Sequence, residues 1–251
     1  MTKPLQVKDL SKSSKDRLII ALDAENTAAA RDIVSELRDF VGAFKIGLQL
    51  FTAAGPSIVR ELTDSGAKIF LDLKFHDIPI TVAKASLEAT RLGVWMFNLH
   101  TLGGPEMMRR AAEEVSEFCE KENVKRPNII GVTILTSSDA STLSAVGIDH
   151  EVSAEVERLA LLAMKCKLDG VVASPKESSL VRRAVGRSDF MIVTPGVRPA
   201  NATSDDQKRV MTPGEAIGSG SDYLVIGRPV TGARDRSSVV RDIIKEIDGI
   251  N

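Results

Sequence analysis

The sequence predicts a single α/β domain, a closed (β/α)8 or TIM barrel, and three observations support it. Eight short apolar runs alternate with longer amphipathic stretches from about Leu18 onward. The chain has 251 residues, a length at which one such barrel is commonly complete. Charged side chains also stand at the ends of neighbouring apolar runs, the edge of a barrel where active sites are built. A doubly wound open sheet fits the same alternation, because periodicity alone does not show closure.

In order, the strands are expected at 18–22, 43–46, 68–73, 95–99, 129–133, 170–172, 191–194 and 223–226. Each has the length of a buried strand, and most are rich in Val, Ile, Leu or Phe. Helical periodicity falls between and after them, at 28–40, 58–65, 80–92, 105–122, 152–166, 178–185, 212–218 and 239–247. Residues 1–16 are polar and read as an extension laid outside the barrel, which then occupies 17–251 as the catalytic domain.

Composition narrows the function. Hydrophobic residues make up 43% and charged residues 27%, with a net charge of −1, so wholesale disorder is excluded. There is no basic run beyond short pairs such as Arg109-Arg110, so neither a nucleic-acid nor a membrane surface is expected. The two cysteines, Cys119 and Cys166, lie far apart, which fits reduced thiols and a cytoplasmic location. The first strand is not followed by Gly-x-Gly-x-x-Gly, and no Gly-x-x-x-x-Gly-Lys-Ser/Thr loop occurs. Dinucleotide and P-loop readings are thereby weakened. Three scattered histidines do not make a zinc set.

The informative stretch is Phe70-Leu71-Asp72-Leu73-Lys74-Phe75-His76-Asp77-Ile78-Pro79-Ile80-Thr81. Strand side chains alternate, so Phe70, Asp72 and Lys74 share the inner face while Leu71, Leu73 and Phe75 pack beneath helices. Asp77 follows the strand end, and Pro79 suits the first turn of the next helix. Lys45 ends the second strand in Phe44-Lys45-Ile46-Gly47, and Asp23 ends the first. Unpaired charges inside a barrel cost several kcal/mol each, as an order of magnitude. Three adjacent strand ends aiming charge at one point therefore mark a functional site. His100, closing Asn98-Leu99-His100, is read as a satisfied, structural histidine.

At these residues the chain resembles the orotidine 5′-phosphate decarboxylase family. The pattern Asp-x-Lys-x-x-Asp-Ile-x-x-Thr stands at Asp72, Lys74, Asp77, Ile78 and Thr81. It is joined by Ala-Leu-Asp at Asp23, Lys-x-Gly at Lys45, and Val-Thr-x-Leu-Thr-Ser from Val132 to Ser137. Pro-Gly-Val-Arg follows at Pro195 to Arg198, Asp-Asp-Gln at Asp205 to Gln207, and Ile-Gly-Arg-Pro at Ile226 to Pro229.

The resemblance implies decarboxylation of orotidine 5′-monophosphate to UMP, without metal or organic cofactor. It makes Lys74 the proton donor to C6, flanked by Asp72 and Asp77. It assigns Asp23 and Lys45 to the ribose side and Leu135 and Thr136 to the pyrimidine. Pro195, Arg198, Gln207, Gly227 and Arg228 are assigned to the phosphate; the polar segment 198–211, carrying Asn, Ser and Asp and ending near Pro213-Gly214, itself reads as a closing loop. The resemblance further implies a homodimer in which Asp77, Ile78 and Thr81 reach the partner's site. The chemistry suits these residues: loss of CO2 leaves a vinylic carbanion with no carbonyl sink. A fixed ammonium can stabilise it and then protonate it, and adjacent carboxylates keep that ammonium charged. The alternative is a magnesium-dependent sugar-phosphate decarboxylase or aldolase of related fold, which carries a glutamate metal ligand where Lys45 stands. A Schiff-base lysine is a further rival, but it would need the neutral amine that flanking carboxylates oppose.

Overall fold

A computed structural model describes residues 13–198 and 211–249. Its eight strands pair in parallel, in sequence order, and β1 pairs with β8 to close the ring. The strands are β1 (Leu18–Ala21), β2 (Ala43–Gly47), β3 (Ile69–Phe75), β4 (Met96–His100), β5 (Asn128–Val132), β6 (Gly170–Val172), β7 (Met191–Pro195) and β8 (Tyr223–Ile226). The closed barrel is thus realised, and the open sheet is not. Of the expected extension, residues 1–12 lie outside the described residues, while Ser14–Arg17 forms a 3-10 turn leading into β1.

The helices are α1 (Thr27–Leu37), α2 (Leu48–Ala54), α3 (Pro56–Asp64), α4 (Pro79–Arg91), α5 (Gly104–Glu122) and α6 (Ala140–Ala145). They continue with α7 (Val152–Lys165), α8 (Ser178–Val185), α9 (Pro213–Gly218), α10 (Arg228–Thr231) and α11 (Arg236–Asp248). Local chemistry sets their starts. The Asn26 side chain accepts from the Ala29 N–H at the head of α1. Thr212 and Glu215 form a reciprocal capping box on α9. Pro79 opens α4, where its missing N–H costs nothing and its fixed φ suits the helix. The helix expected at 28–40 stops at Leu37, because residues 38–40 leave the helical path as a turn. Three short helices, α2, α6 and α10, were not expected from the sequence.

Two apolar layers result. The inner one plugs the barrel with Ile19, Ala21, Ala43, Phe70, Met96, Ile130, Val193, Tyr223 and Val225. The outer, larger one lies between strands and helices and includes Leu71, with Leu73 and Phe75 packed against it. Strand alternation therefore sorts β3 as expected up to Leu73. At Lys74 it fails locally, because the β3–β4 register shifts between Leu71 and Phe75 and Lys74 has φ 54°, in the left-handed region. Among the described residues no helix is long and apolar enough to cross a membrane.

Candidate active site

The site grows from the C-terminal ends of β1 to β4. Asp72 is its hub. One carboxylate oxygen accepts from the Lys74 ammonium at 2.7 Å and from the Asn98 amide at 2.7 Å. The other faces the Lys45 ammonium at 3.3 Å. Lys45 in turn lies 3.5 Å from Asp23. Asp–Lys–Asp–Lys thus runs continuously across three adjacent strands, and the three inner members are ordered by burial: Lys45 and Asp72 keep 11% and 13% side-chain exposure, Lys74 30%.

Asn98 on β4 was not singled out from the sequence, yet it locks the array. Its side-chain oxygen accepts the Lys74 backbone N–H at 2.8 Å while its amide donates to Asp72. That N–H is the one freed by the bulge, and Asn98 is buried at 1% exposure. The left-handed backbone at Lys74 costs about 1–3 kcal/mol, and Asn98 helps to hold it. The strand alternation of Met96, Asn98 and His100 was the one signal that could have found it.

The electrostatics follow from this packing. Burial pulls the Asp72 carboxyl upward, but the Lys45 and Lys74 ammonium groups and the two donated hydrogen bonds outweigh it, leaving Asp72 below the usual carboxylate range. His100 is pushed down to about 4, first by burial, then by His76 and Lys74, with Asp72 opposing. Its ring lies 5.4 Å from that of His76. The expectation of a satisfied histidine is corrected here: among the described residues, buried His100 Nδ1 has no hydrogen-bond partner.

A cavity of about 190 Å³ opens beside Lys74. Lys45, Asp72, Lys74 and Pro195 give it polar or rigid walls, Phe70, Val172, Val193 and Val225 an apolar floor, and Ile134, Leu135, Thr136 and Ser137 one side. Leu135, Thr136 and Pro195 thus line the same cavity as Lys74, and Ser137, given no role in the sequence reading, joins them. Two glycines make room. A Cβ on Gly47 would come within 3.0 Å of the Lys45 ammonium, and one on Gly227 within 3.2 Å of the Asp23 carboxylate.

Other expected residues lie apart from this cluster. Asp77 is exposed and accepts from the neighbouring Ile78 N–H at 2.7 Å, so among the described residues Lys74 pairs with Asp72 and not with Asp77. Ile78 is 63% exposed, and Thr81 is exposed on the first turn of α4. Gly227 and Arg228 head α10 immediately after β8, on the same face of the barrel. Arg198 is buried, and its N–H donates to the Met211 carbonyl at 3.1 Å, so the two ends of the 198–211 segment meet. Gln207 and the rest of the expected closing loop lie outside the described residues.

Comparison with known proteins agrees with this arrangement. A profile of the "Orotidine 5'-phosphate decarboxylase / HUMPS family" matches residues 16–243. The chain is 55% identical to the orotidine 5'-phosphate decarboxylase of Syntrophotalea carbinolica, over 93% of this chain and 96% of that one. With that of Geobacter sulfurreducens it shares 54%, over 93% and 97%. The crystal structure of orotidine 5'-phosphate decarboxylase from Lactobacillus acidophilus superposes with a TM-score of 0.79 at 34% identity, covering 92% of this chain and 98% of that one. The charged strand ends, the closed barrel and a match spanning nearly its whole length agree: the chain belongs to the orotidine 5′-phosphate decarboxylase family.

Proposed function

We propose that this chain converts orotidine 5′-monophosphate to UMP and CO2 in pyrimidine nucleotide synthesis, with Lys74 as proton donor. The observation that carries the reading is the Asp23–Lys45–Asp72–Lys74 array beside a cavity with an apolar floor. As the C6–carboxylate bond breaks, its electron pair stays on C6 and CO2 departs. The Lys74 ammonium, already fixed by Asp72, stabilises that pair with little reorganisation and then passes its proton to C6. The amine regains a proton from solvent, so each turnover consumes one proton overall. Asp72 keeps Lys74 charged and in place, while Lys45 and Asp23 take the ribose side.

Leu135 and Thr136 would hold the pyrimidine. Pro195, Arg198, Gln207, Gly227 and Arg228 would take the phosphate, Arg228 through its planar fork and Gly227 through a close backbone approach. Phosphate binding far from C6 can be used to close the site over the reacting carbon. The magnesium-dependent alternative is disfavoured by Lys45: its ammonium lies within 3.5 Å of both Asp23 and Asp72, where it would repel a divalent cation. Loss of orotidine 5′-monophosphate absorbance with purified protein in excess chelator tests the reading. No turnover of that substrate under those conditions overturns it.

A homodimer completes the proposal, with Asp77, Ile78 and Thr81 entering the partner's site. Its support is a set of exposed apolar side chains at the ends of consecutive strands: Leu48 after β2, Ile78 and Ile80 after β3, Leu102 after β4 and Leu135 after β5. Such a face suits a self-complementary interface. Mixing inactive Lys74→Ala and Asp77→Ala chains, with exchange of subunits, should restore up to about a quarter of wild-type activity, since half of the dimers then hold one intact site. Mixtures as inactive as their components, despite exchange, would dismiss the shared site.

A further inference from the structure

The opposite end of the barrel carries a second constellation. There the strand starts open into a cavity of about 430 Å³ lined by Arg17, Trp95, Lys125, Arg126, Asp222 and Tyr223, among others. A neighbouring cavity of about 590 Å³ shares Trp95, Lys125 and Arg126 with it. Both volumes fall in the range of small-molecule sites.

Trp95 and Tyr223 are the chain's single tryptophan and single tyrosine, and here they meet edge-on with ring centroids 5.3 Å apart. Tyr223 is buried, whereas Trp95 is half-buried and lines both cavities, so one indole serves two compartments. The surrounding charge is unbalanced. Lys68, Arg91 and Glu122 line the second cavity beside Lys125 and Arg126; at the first, Arg17, Lys125 and Arg126, with Arg182 and Arg187 close behind, stand against Asp169, Asp189 and Asp222. Each of those three carboxylates is engaged by an arginine: Asp169 by Arg126, Asp222 by Arg182 and Asp189 by Arg187. Lys125 is exposed and pairs with no described carboxylate.

We propose that the foot of the barrel binds a planar anion, a nucleoside monophosphate in kind, with its base against Trp95 and its phosphate at Lys125 and Arg126. An aromatic face offers stacking to any base, and flanking cations offer the phosphate a charge-assisted grip. The inner apolar plug, with Phe70, Met96, Ile130 and Val193, separates this cavity from the one beside Lys74. A ligand at the foot therefore leaves the catalytic cavity free, and the two sites can be filled together.

Because Trp95 is the sole tryptophan, indole emission reports on this site directly. Titration with AMP should change that emission saturably, and the AMP concentration that half-saturates the change should leave the KM for orotidine 5′-monophosphate unaltered. Adenosine and inorganic phosphate, each lacking half of the interaction, should bind at least about tenfold more weakly. Lys125→Glu should weaken AMP about fivefold and leave decarboxylation at saturating substrate unchanged. Emission insensitive to AMP, competitive inhibition of decarboxylation at the AMP concentration that half-saturates the emission change, phosphate binding as well as AMP, or unaltered affinity in Lys125→Glu would each overturn the proposal.

Discussion

The two ends of the barrel use the same pair of residue types, a cation and an aspartate, to opposite ends. At the foot, Asp169 accepts from Arg126 and from the Ile129 N–H, both at 2.7 Å, and so ties the start of β5 to that of β6. Asp222 repeats the device between β7 and β8, accepting from Arg182 and from the Ile192 N–H at 2.7 Å. Arg182 also reaches the carbonyls of Arg187, Phe190 and Gly220. In these pairs the backbone itself is a partner, and the strands beside them are regular. At the mouth, Asp72 accepts only from side chains, the backbone next to it is bulged, and an empty space lies beside Lys74. Ion pairs that bind backbone amides brace a structure. Cavities lie at both ends, but the pairs at the mouth hold one another without the backbone, so their charges stay free to answer a ligand.

The contrast is broken most directly at Lys74. Lys74→Ala should reduce turnover by at least about 10³-fold while UMP still binds and the fold persists, since the variant lacks the proposed proton donor and its fixed charge. Substantial activity in that variant, measured in single turnovers, would place the braced and the poised pairs in one class. Asn98→Ala sharpens the contrast from beside the array. It leaves the Lys74 N–H and one Asp72 oxygen without a partner, at about 1–3 kcal/mol, and kcat should fall roughly 10- to 100-fold with KM less affected. A stability loss of that size with kcat at the wild-type value below the melting range would mark Asn98 as scaffolding only.

At the foot the expectation reverses. Asp222→Ala should cost about 2 kcal/mol, or roughly 4–8 °C in Tm, because Arg182 and the Ile192 amide both lose an acceptor. Its kcat below the melting range should match the wild type. The smallest effect belongs to His100. Its imidazole stays neutral in the fold down to about pH 4, against 6.5 for an unperturbed histidine, so the unfolded chain binds the extra proton between those values. The stabilisation is fully present above pH 6.5 and is lost as pH falls toward 4. Thermal unfolding of the wild type across that window should therefore steepen relative to His100→Asn. Parallel Tm–pH curves would remove His100 from the account.

How much of this the amino acids announce depends on the range of the interaction. The strands were legible because Leu18-Ile-Ile-Ala21 or Met191-Ile-Val193 can only be buried, and Asp23, Lys45, Asp72 and Lys74 stood out as charges where apolar side chains belong. The short helices α2, α6 and α10 span 7, 6 and 4 residues, too few for a helical period to show. Strand β3 runs to Phe75 and not to 73, since a left-handed residue inside a strand has no signature in a lysine. Asn98 was passed over because asparagine at a strand end reads as the start of a loop. The bracing pairs at the foot join residues 43 and 40 positions apart, and only the closed ring brings them together.

The bulge at Lys74 has a consequence for any attempt to improve this protein. Its backbone takes the one conformation that glycine adopts freely and a long side chain resists. A search guided by melting temperature alone would therefore tend to trade the ammonium away at this very position. A residue that is costly to fold around is here the one a stabilised variant must be forbidden to change.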